Sequence, residues 1–465
     1  MTFYSELNKF HDNAAFITES GEVYSYVDLL SQVSQMEEML QSNDKKLLFI
    51  LCNNNRETVI GYLAALRSNS AVLLLNHAIK PEALDYLILT YKPSFVWGPG
   101  HNGIYEYGNY SLTPTKLKRN FEVHPDLKLL LSTSGSTGSP KLVKLSAKNI
   151  DANAKAIVSY LNLSQDELPI TVLPFSYSYG LSIINSHLKV GAKVLLTSKT
   201  IFDKSFWQMF STYKATSLSG VPYTYEMFKH LKLLSMDLSH VRTMTQAGGK
   251  LPLELAEFYA HELRQRNIDF YIMYGQTEAT ARMSYLPPDR SCEKFGSCGI
   301  PIPGGRFEIV DQNKMRINRP NVEGELVYYG DNVMMGYAES EQDLSVGDEL
   351  QGVLYTGDLA KFDEDHFYYI TGRNKRFLKI FGDRINLNEL EQYLKDAIGH
   401  DCACGGKDNM LCIAIEVDFV KDQISDIIQN RFNIHHSAYK IITVDAIARN
   451  ESGKIKYSDL FSSYL

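Results

Sequence analysis

Residues 133–141 read TSGSTGSPK, and the chemistry open to those side chains is phosphate binding. Four hydroxyls (Thr133, Ser134, Ser136, Thr137) and two glycines (Gly135, Gly138) crowd into nine positions that close on Pro140 and Lys141. Glycine lets a backbone approach a ligand closely with its N–H groups turned inward. The hydroxyls add donors and Lys141 adds a positive charge. A polyphosphate fits such a loop. The Walker pattern G-x-x-x-x-G-K-[ST] occurs nowhere in the chain. The plain alternative is a Ser/Gly-rich surface loop. The flanks favour the anion: the apolar run 127–131 reads as a strand and a helix-like stretch begins at Ser146, a strand–loop–helix context.

Four further motifs follow in order: YGQTE at 274–278, YTGD at 355–358, GRNKRFLKIFGDR at 372–384 and NESGKIK at 450–456. Taken alone, each has a bland reading as a turn or a solvated basic face. In this order and spacing they resemble the adenylate-forming superfamily of acyl-CoA synthetases, peptide-synthetase adenylation domains and luciferases. The resemblance runs from about residue 20 to the end of the chain. It implies an AMP-forming ligase. A carboxylate is a poor electrophile until it is joined to the α-phosphate of ATP, and the acyl group then passes to a thiol. The implied cofactors are ATP and Mg²⁺, with coenzyme A or a phosphopantetheine-bearing carrier protein as acceptor.

The resemblance also assigns roles. Thr133–Gly138 and Lys141 would cradle the phosphates. Glu278 would hold Mg²⁺, as suits a hard carboxylate, and Thr277 would donate to the α-phosphate. Tyr274 and Gly275 would lie along the nucleotide, with Gly248 and Gly249 allowing close backbone approach to adenine or the acyl carbonyl. Asp358 would accept from the ribose hydroxyls, supported by Arg373. Lys454 would neutralise charge between the attacking carboxylate and the α-phosphate. Two departures surround it: Ile447-Ala448 stands for a usual Leu-Pro, and Tyr457 for a common arginine. Lys375 falls at the family hinge, and Lys379 and Gly382 on the loop that serves thiol transfer.

The acid pocket is less legible. LPFSYSYGL at 173–181 matches the pocket segment, with Tyr177 in place of a frequent histidine. Ser176 stands where amino-acid-activating relatives usually carry aspartate, which counts against an ordinary α-amino acid. Tyr179, Met273 and the stretch 280–283 are further candidates, against the plain reading of aromatics and methionine as core. A small-molecule carboxylic acid is therefore the expected substrate. A stand-alone adenylation enzyme that loads a separate acyl carrier protein is the first alternative. A non-catalytic nucleotide-binding homologue is the alternative of another class. An oxidative luciferase rests on fold analogy alone.

The elements that must position these residues are legible in outline. The chain has 465 residues, 44% hydrophobic and 22% charged, long enough for two or more domains. Its net charge is −7, and no basic run or basic–aromatic interleaving is present, so nucleic acid is not an expected partner. No apolar run approaches the length of a membrane span, and MTFYSELNKF lacks a signal pattern. A cytoplasmic protein is expected. Six scattered cysteines (52, 292, 298, 402, 404, 412) read as reduced thiols rather than a disulfide framework or a zinc site.

Strands are expected at 46–52, 71–75, 170–173, 193–197, 241–246 and 270–273, alternating with helices at 57–66, 82–91, 223–234 and 253–267. This predicts an α/β fold: a large N-terminal domain, 1–372, of layered helices and sheets that turns β-rich from about residue 296. A small mobile α+β domain, 373–465, follows, with the site in the cleft between them. In it, Asn386 and Glu389 read as a capping box, followed by a strand at 411–417, a helix at 420–432 and a strand at 440–444.

Overall fold

The computed structural model describes residues 2–132, 141–373, 377–380, 383–407, 409–432, 434–450 and 453–462. For Arg373, Phe377, Lys379, Asp383, Arg384, Asn386 and Glu389 it describes the backbone alone. Two compact units emerge, one from residues 2–132, 141–306 and 328–354, the other from 307–327 and from 355 onward.

Among the described residues, eight strands form the main sheet of the first unit. Their order is Gly336–Ala338, Leu142–Ser146, Leu127–Ser132, Ser70–Asn76, Lys46–Cys52, Phe95–Pro99, Tyr110–Pro114, Tyr105–Tyr107. The central strands are parallel. They read KLLFILC and SAVLLLN because both faces are covered. Leu48 and Ile50 face a core shared with the helices Tyr26–Leu40 and Arg56–Arg67. Leu47 and Phe49 face Leu87 and Tyr91 of the helix Pro81–Tyr91. The helix starts are chemically marked. Ser25 and Ser146 close capping boxes, Asn55 accepts from the Thr58 amide, and Pro81 opens its helix.

A second sheet runs Ser217–Gly220, Thr243–Gln246, Asp269–Tyr274, Ser284–Leu286, Ile300–Pro301. Its first three strands are parallel, so Gln246 and Tyr274 end at the same edge. The carboxyl edge of a parallel sheet is where ligands bind in such folds, and both GG at 248–249 and YGQTE leave from it.

Several expectations are corrected. A strand Leu142–Ser146, antiparallel to Leu127–Ser132, stands between Lys141 and the helix Ala147–Tyr160, so the expected strand–loop–helix context is interrupted by a strand. The expected strand at 170–173 reduces to isolated bridges. Pro169 has no N–H to give a ladder, and the Thr171 hydroxyl turns to the Thr197 carbonyl. Its neighbour shortens to Val194–Leu195. The helix expected at 223–234 ends at His230, two residues before Lys232 at φ +54°.

Arg306–Val310, Gly324–Tyr329, Val353–Phe362 and Tyr368–Arg373 form one sheet, most of whose residues belong to the second unit. A hairpin follows, Phe377–Ile380 with Asp383–Asn386, and then the helix Leu387–Ile398. Asn386 directly precedes that helix, but the capping box expected of it and Glu389 rests on side chains outside the description. Leu387, Leu390, Leu394 and Ile398 recur at helical spacing and pack on Ile413, Ile415, Ile424 and Ile428. A strand absent from the sequence expectations, Cys402–Lys407, pairs with Met410–Ile415, which pairs in turn with Tyr439–Thr443. All six cysteines are free, and Cys402, Cys404 and Cys412 are buried in these strands. Among the described residues no group of three His, Cys, Asp or Glu is placed to hold a metal ion, and no helix is long and apolar enough to cross a membrane.

One buried group makes stability depend on pH. His187 is 4% exposed; its Nδ1 lies 2.7 Å from the Ile183 carbonyl and its Nε2 has no partner. Burial pushes its pKa down to about 4. Between pH 6.5 and 4 the unfolded chain binds a proton that the folded chain refuses. Stability is therefore full above about pH 6.5 and falls as pH drops, by about 2 kcal/mol at pH 5. Denaturant unfolding at pH 7 and pH 5 should show this loss, and His187→Gln should remove it. An unchanged pH slope in the variant would assign the effect elsewhere.

Candidate active site

The strand Asp269–Tyr274 ends in a tight reversal. Gly275 and Gln276 lead into a 3₁₀ turn, Thr277–Ala279, followed by Thr280 and Ala281 at φ +56° and +97°. Left-handed backbone at two consecutive non-glycine residues costs energy, and a ring of contacts holds it. The Thr280 hydroxyl donates to the Asn332 carbonyl at 2.6 Å, Asn332 Nδ2 donates to the Ala279 carbonyl at 2.8 Å, and the Met334 amide donates to the Glu278 carbonyl at 2.8 Å. A Cβ on Gly275 would lie 1.6 Å from the Ala281 carbonyl oxygen, so only glycine lets the loop fold back. Gly299 plays the same part further on, where a Cβ would lie 1.8 Å from the Tyr285 carbonyl oxygen.

This reversal presents Glu278 half-buried, its Oε1 accepting from the Tyr337 hydroxyl at 2.8 Å. Burial first, and then the Glu278 charge, raise the Tyr337 pKa, so the phenol stays a donor. Tyr337 lies in Gly336–Ala338, opposite Val143 of the strand Leu142–Ser146. Lys141 lies 5.7 Å from the Tyr337 ring centroid and pairs with Glu339 at 2.7 Å. Lys141 and Glu278, expected to serve the same phosphates, thus meet on one tyrosine. Tyr337 is not legible in the sequence: a tyrosine in a three-residue strand, 59 positions from its partner, carries no local signal. The Thr277 hydroxyl lies 3.2 Å from that of Ser178, also unforeseen. Thr133, Ser134, Gly135, Ser136, Thr137 and Gly138 lie outside the described residues.

The pocket candidates also gather here. Ser176 sits in a turn closed by the Tyr177 amide on the Pro174 carbonyl, just before the helix Ser178–Lys189. Gly180 makes that turn possible, since a Cβ there would lie 2.3 Å from the Pro174 oxygen. Tyr177 and Tyr179 meet edge to face at 6.3 Å. The Tyr177 hydroxyl lies over Gly248 (φ +86°), 2.5 Å from where a Cβ would stand, and Gly249 faces Pro222. Tyr179 bonds Thr245, and burial pushes its pKa up to about 12. Met273 Sδ accepts from the Tyr160 hydroxyl at 3.0 Å. The Tyr274 hydroxyl accepts from Gln276 Nε2 at 3.2 Å.

In the second unit, Asp358 is 2% exposed and stands in register opposite Arg373. Its neighbour Gly357 has φ +69° and open space around it. Lys379 lies opposite Arg384 in the hairpin, its side chain outside the description, and Lys375 and Gly382 are not among the described residues. The Lys454 loop is anchored on both sides. The Lys454 amide donates to Asn450 Oδ1 at 2.9 Å, and Arg449 reaches the Asp401 carboxylate and the Gly453 carbonyl. The Tyr457 hydroxyl bonds Glu391 at 2.9 Å, and Phe461 lies where a Cβ on Gly405 would stand. The two departures noted above both have structural work: Tyr457 bonds Glu391, and Ile447, 5% exposed, packs in the same apolar cluster as Phe461.

Similarity to known proteins identifies the family of the chain. The profile of the AMP-binding enzyme family matches residues 3–338. A 2-succinylbenzoate–CoA ligase of Bacillus pumilus is 26% identical over 386 residues, 80% of this chain and 77% of the relative. A 4-coumarate–CoA ligase of Nicotiana tabacum is 29% identical over 368 residues, 73% of this chain and 66% of the relative. The structure of the o-succinylbenzoate CoA synthetase of Bacillus subtilis, in complex with its acyl-adenylate intermediate, superposes with a TM-score of 0.80. It is 20% identical and covers 99% of this chain and 97% of its own. With its motifs on the carboxyl edge of a parallel sheet and the family profile spanning most of its length, the chain belongs to the AMP-binding enzyme family.

Proposed function

We propose that the chain is an AMP-forming carboxylic acid–thiol ligase. A carboxylate oxygen attacks the α-phosphorus of ATP and the bond to pyrophosphate breaks. A thiol then attacks the acyl carbon, loses its proton, and AMP leaves with the C–O bonding pair. The observation that carries this reading is the meeting of Lys141, Tyr337 and Glu278 beside the Thr277 and Ser178 hydroxyls. Such hard oxygen donors suit Mg²⁺. Glu278 would hold the ion, which supplies charge neutralisation on the phosphates.

The other roles follow from each residue's chemistry. Thr277 donates to the α-phosphate, the phosphate loop with Lys141 holds the leaving pyrophosphate, and Tyr274, Gly248 and Gly249 line the adenosine side. Asp358 accepts from the ribose with Arg373 in support. Lys454 neutralises the two anions that must meet, then is withdrawn for thiol transfer, with Lys375 as hinge and Lys379 and Gly382 serving the second step. That alternation would turn at 372/373, a boundary that falls inside the second compact unit. The acceptor is coenzyme A or a separate carrier protein.

A panel of acids in a pyrophosphate-release assay, with and without coenzyme A, tests the reading. Acid-dependent release with thioester product supports it. Release that stops at the adenylate until a carrier protein is added assigns the carrier as acceptor. ATP binding without release for any acid would leave a non-catalytic nucleotide-binding homologue. Tyr337→Phe tests the unforeseen contact. It frees Glu278 to rotate, at a cost of about 1 kcal/mol at this partly exposed site. The Mg²⁺ needed for half-maximal release should rise about fivefold with kcat little changed. An unchanged Mg²⁺ requirement would make the contact incidental.

A further inference from the structure

Arg282 stands apart from five other buried charges among the described residues. Glu57, Glu167, Glu341 and Glu391 each have a cation within 2.9–3.5 Å, and the fully buried Lys144 has Glu349 at 3.3 Å. Arg282 is 2% exposed, and its guanidinium meets only neutral groups. Nε donates to the Ser182 hydroxyl at 3.0 Å. Nη1 donates to the Tyr160 hydroxyl at 3.0 Å and touches Met273 Sδ at 3.5 Å. The Tyr179 ring centroid lies 5.1 Å away. No acidic side chain among the described residues pairs with it, and its Nη2 has no acceptor among them. Its backbone is fixed as well, the carbonyl accepting from Asn153 at 2.8 Å and Asn332 at 3.2 Å.

A buried cation with no counter-charge is costly, and such groups concentrate at functional sites. The location fits. Arg282 follows Glu278 by four residues, contacts Tyr179 and Met273, and bonds the helix whose first residue touches Thr277. We propose that Arg282 is a specificity residue that pairs with a second carboxylate on the acid, so that the substrate is a dicarboxylic acid. This rests on the ligase reading above. The same charge repels an α-ammonium group, which sets the amino-acid alternative aside. Guanidinium and carboxylate match as a two-pronged pair, and a site built around such a partner discriminates strongly against an acid that lacks it.

The experiment uses mono- and dicarboxylic acids matched in carbon skeleton, with wild type, Arg282→Met and Arg282→Lys. Two readouts are taken: pyrophosphate release, and the melting-temperature shift that each acid produces without ATP. Wild type should favour the dicarboxylic member by about 10²-fold or more in kcat/KM. Arg282→Met should lose that preference through KM for the diacid, and Arg282→Lys should keep part of it. The melting shift should appear with diacids and vanish in Arg282→Met. With no acid present, Arg282→Met should melt at or above the wild-type temperature, because an uncompensated charge has been removed. A clear fall would assign Arg282 a structural role and overturn the proposal. So would equal use of both acid classes by wild type, or no diacid shift. A diacid shift without pyrophosphate release from any acid would sink the ligase reading and leave the Arg282 assignment standing.

Discussion

Lys454→Ala is expected to slow acid-dependent adenylate formation by about 10²–10³-fold, the usual loss when one charge-stabilising contact is removed from a transition state. The effect should be confined to one half-reaction. Given preformed acyl-adenylate and thiol, the variant should make thioester at close to the normal rate, because no anion attacks another anion in that step. Lys379→Ala should show the reverse, near-normal adenylation and slowed transfer. Folding is not expected to confuse the result. The loop is held by bonds from the Lys454 amide to Asn450, from Arg449 to Asp401 and from Tyr457 to Glu391. Feeding each variant ATP with acid, and then adenylate with thiol, reads both steps. Equal losses for Lys454→Ala in the two assays would contradict alternation and favour a static site.

Glu278→Gln should be as severe. The substitution keeps size and the Tyr337 contact but removes the charge that would hold Mg²⁺. Pyrophosphate release should fall by about 10²-fold or more, and excess Mg²⁺ should recover part of it. The loop itself should survive, because its backbone bonds run through Thr280, Asn332 and Met334. An unchanged melting temperature with lost turnover supports the ligand role. Normal turnover would remove Glu278 from the metal.

The legible part of the site is the part encoded in contiguous residues. YGQTE and its neighbours state their chemistry in five letters, and the parallel strands announce themselves by continuous apolar runs. The illegible part depends on distant or disguised residues. Tyr337 reaches Glu278 across 59 positions. The strand Leu142–Ser146 hides behind Lys144, a charged residue fully buried because two backbone carbonyls and Glu349 meet its amine. The strand Cys402–Lys407 is built of Cys, Ala, Gly and a terminal Lys, with none of the β-branched bulk that marks a strand. Its Gly405 is small because Phe461 occupies the space above it. Arg282 lies in the stretch 280–283 that the sequence offers for the pocket, but its burial among neutral partners emerges only in the fold.

The backbone contacts at Gly275 and Gly299 also bear on redesign. Each is a close approach of backbone to backbone, so neither position tolerates any side chain without moving the segment they bracket. Several side chains between them make no such backbone approach and can be exchanged. A directed-evolution library aimed at new acids should therefore randomise Arg282 together with Tyr177 and Tyr179 while leaving both glycines untouched. Clones recovered from such a library would differ in what they activate and share one unaltered turn at Gly275. Error-prone mutagenesis across the same stretch would spend much of its diversity on variants that cannot close that turn.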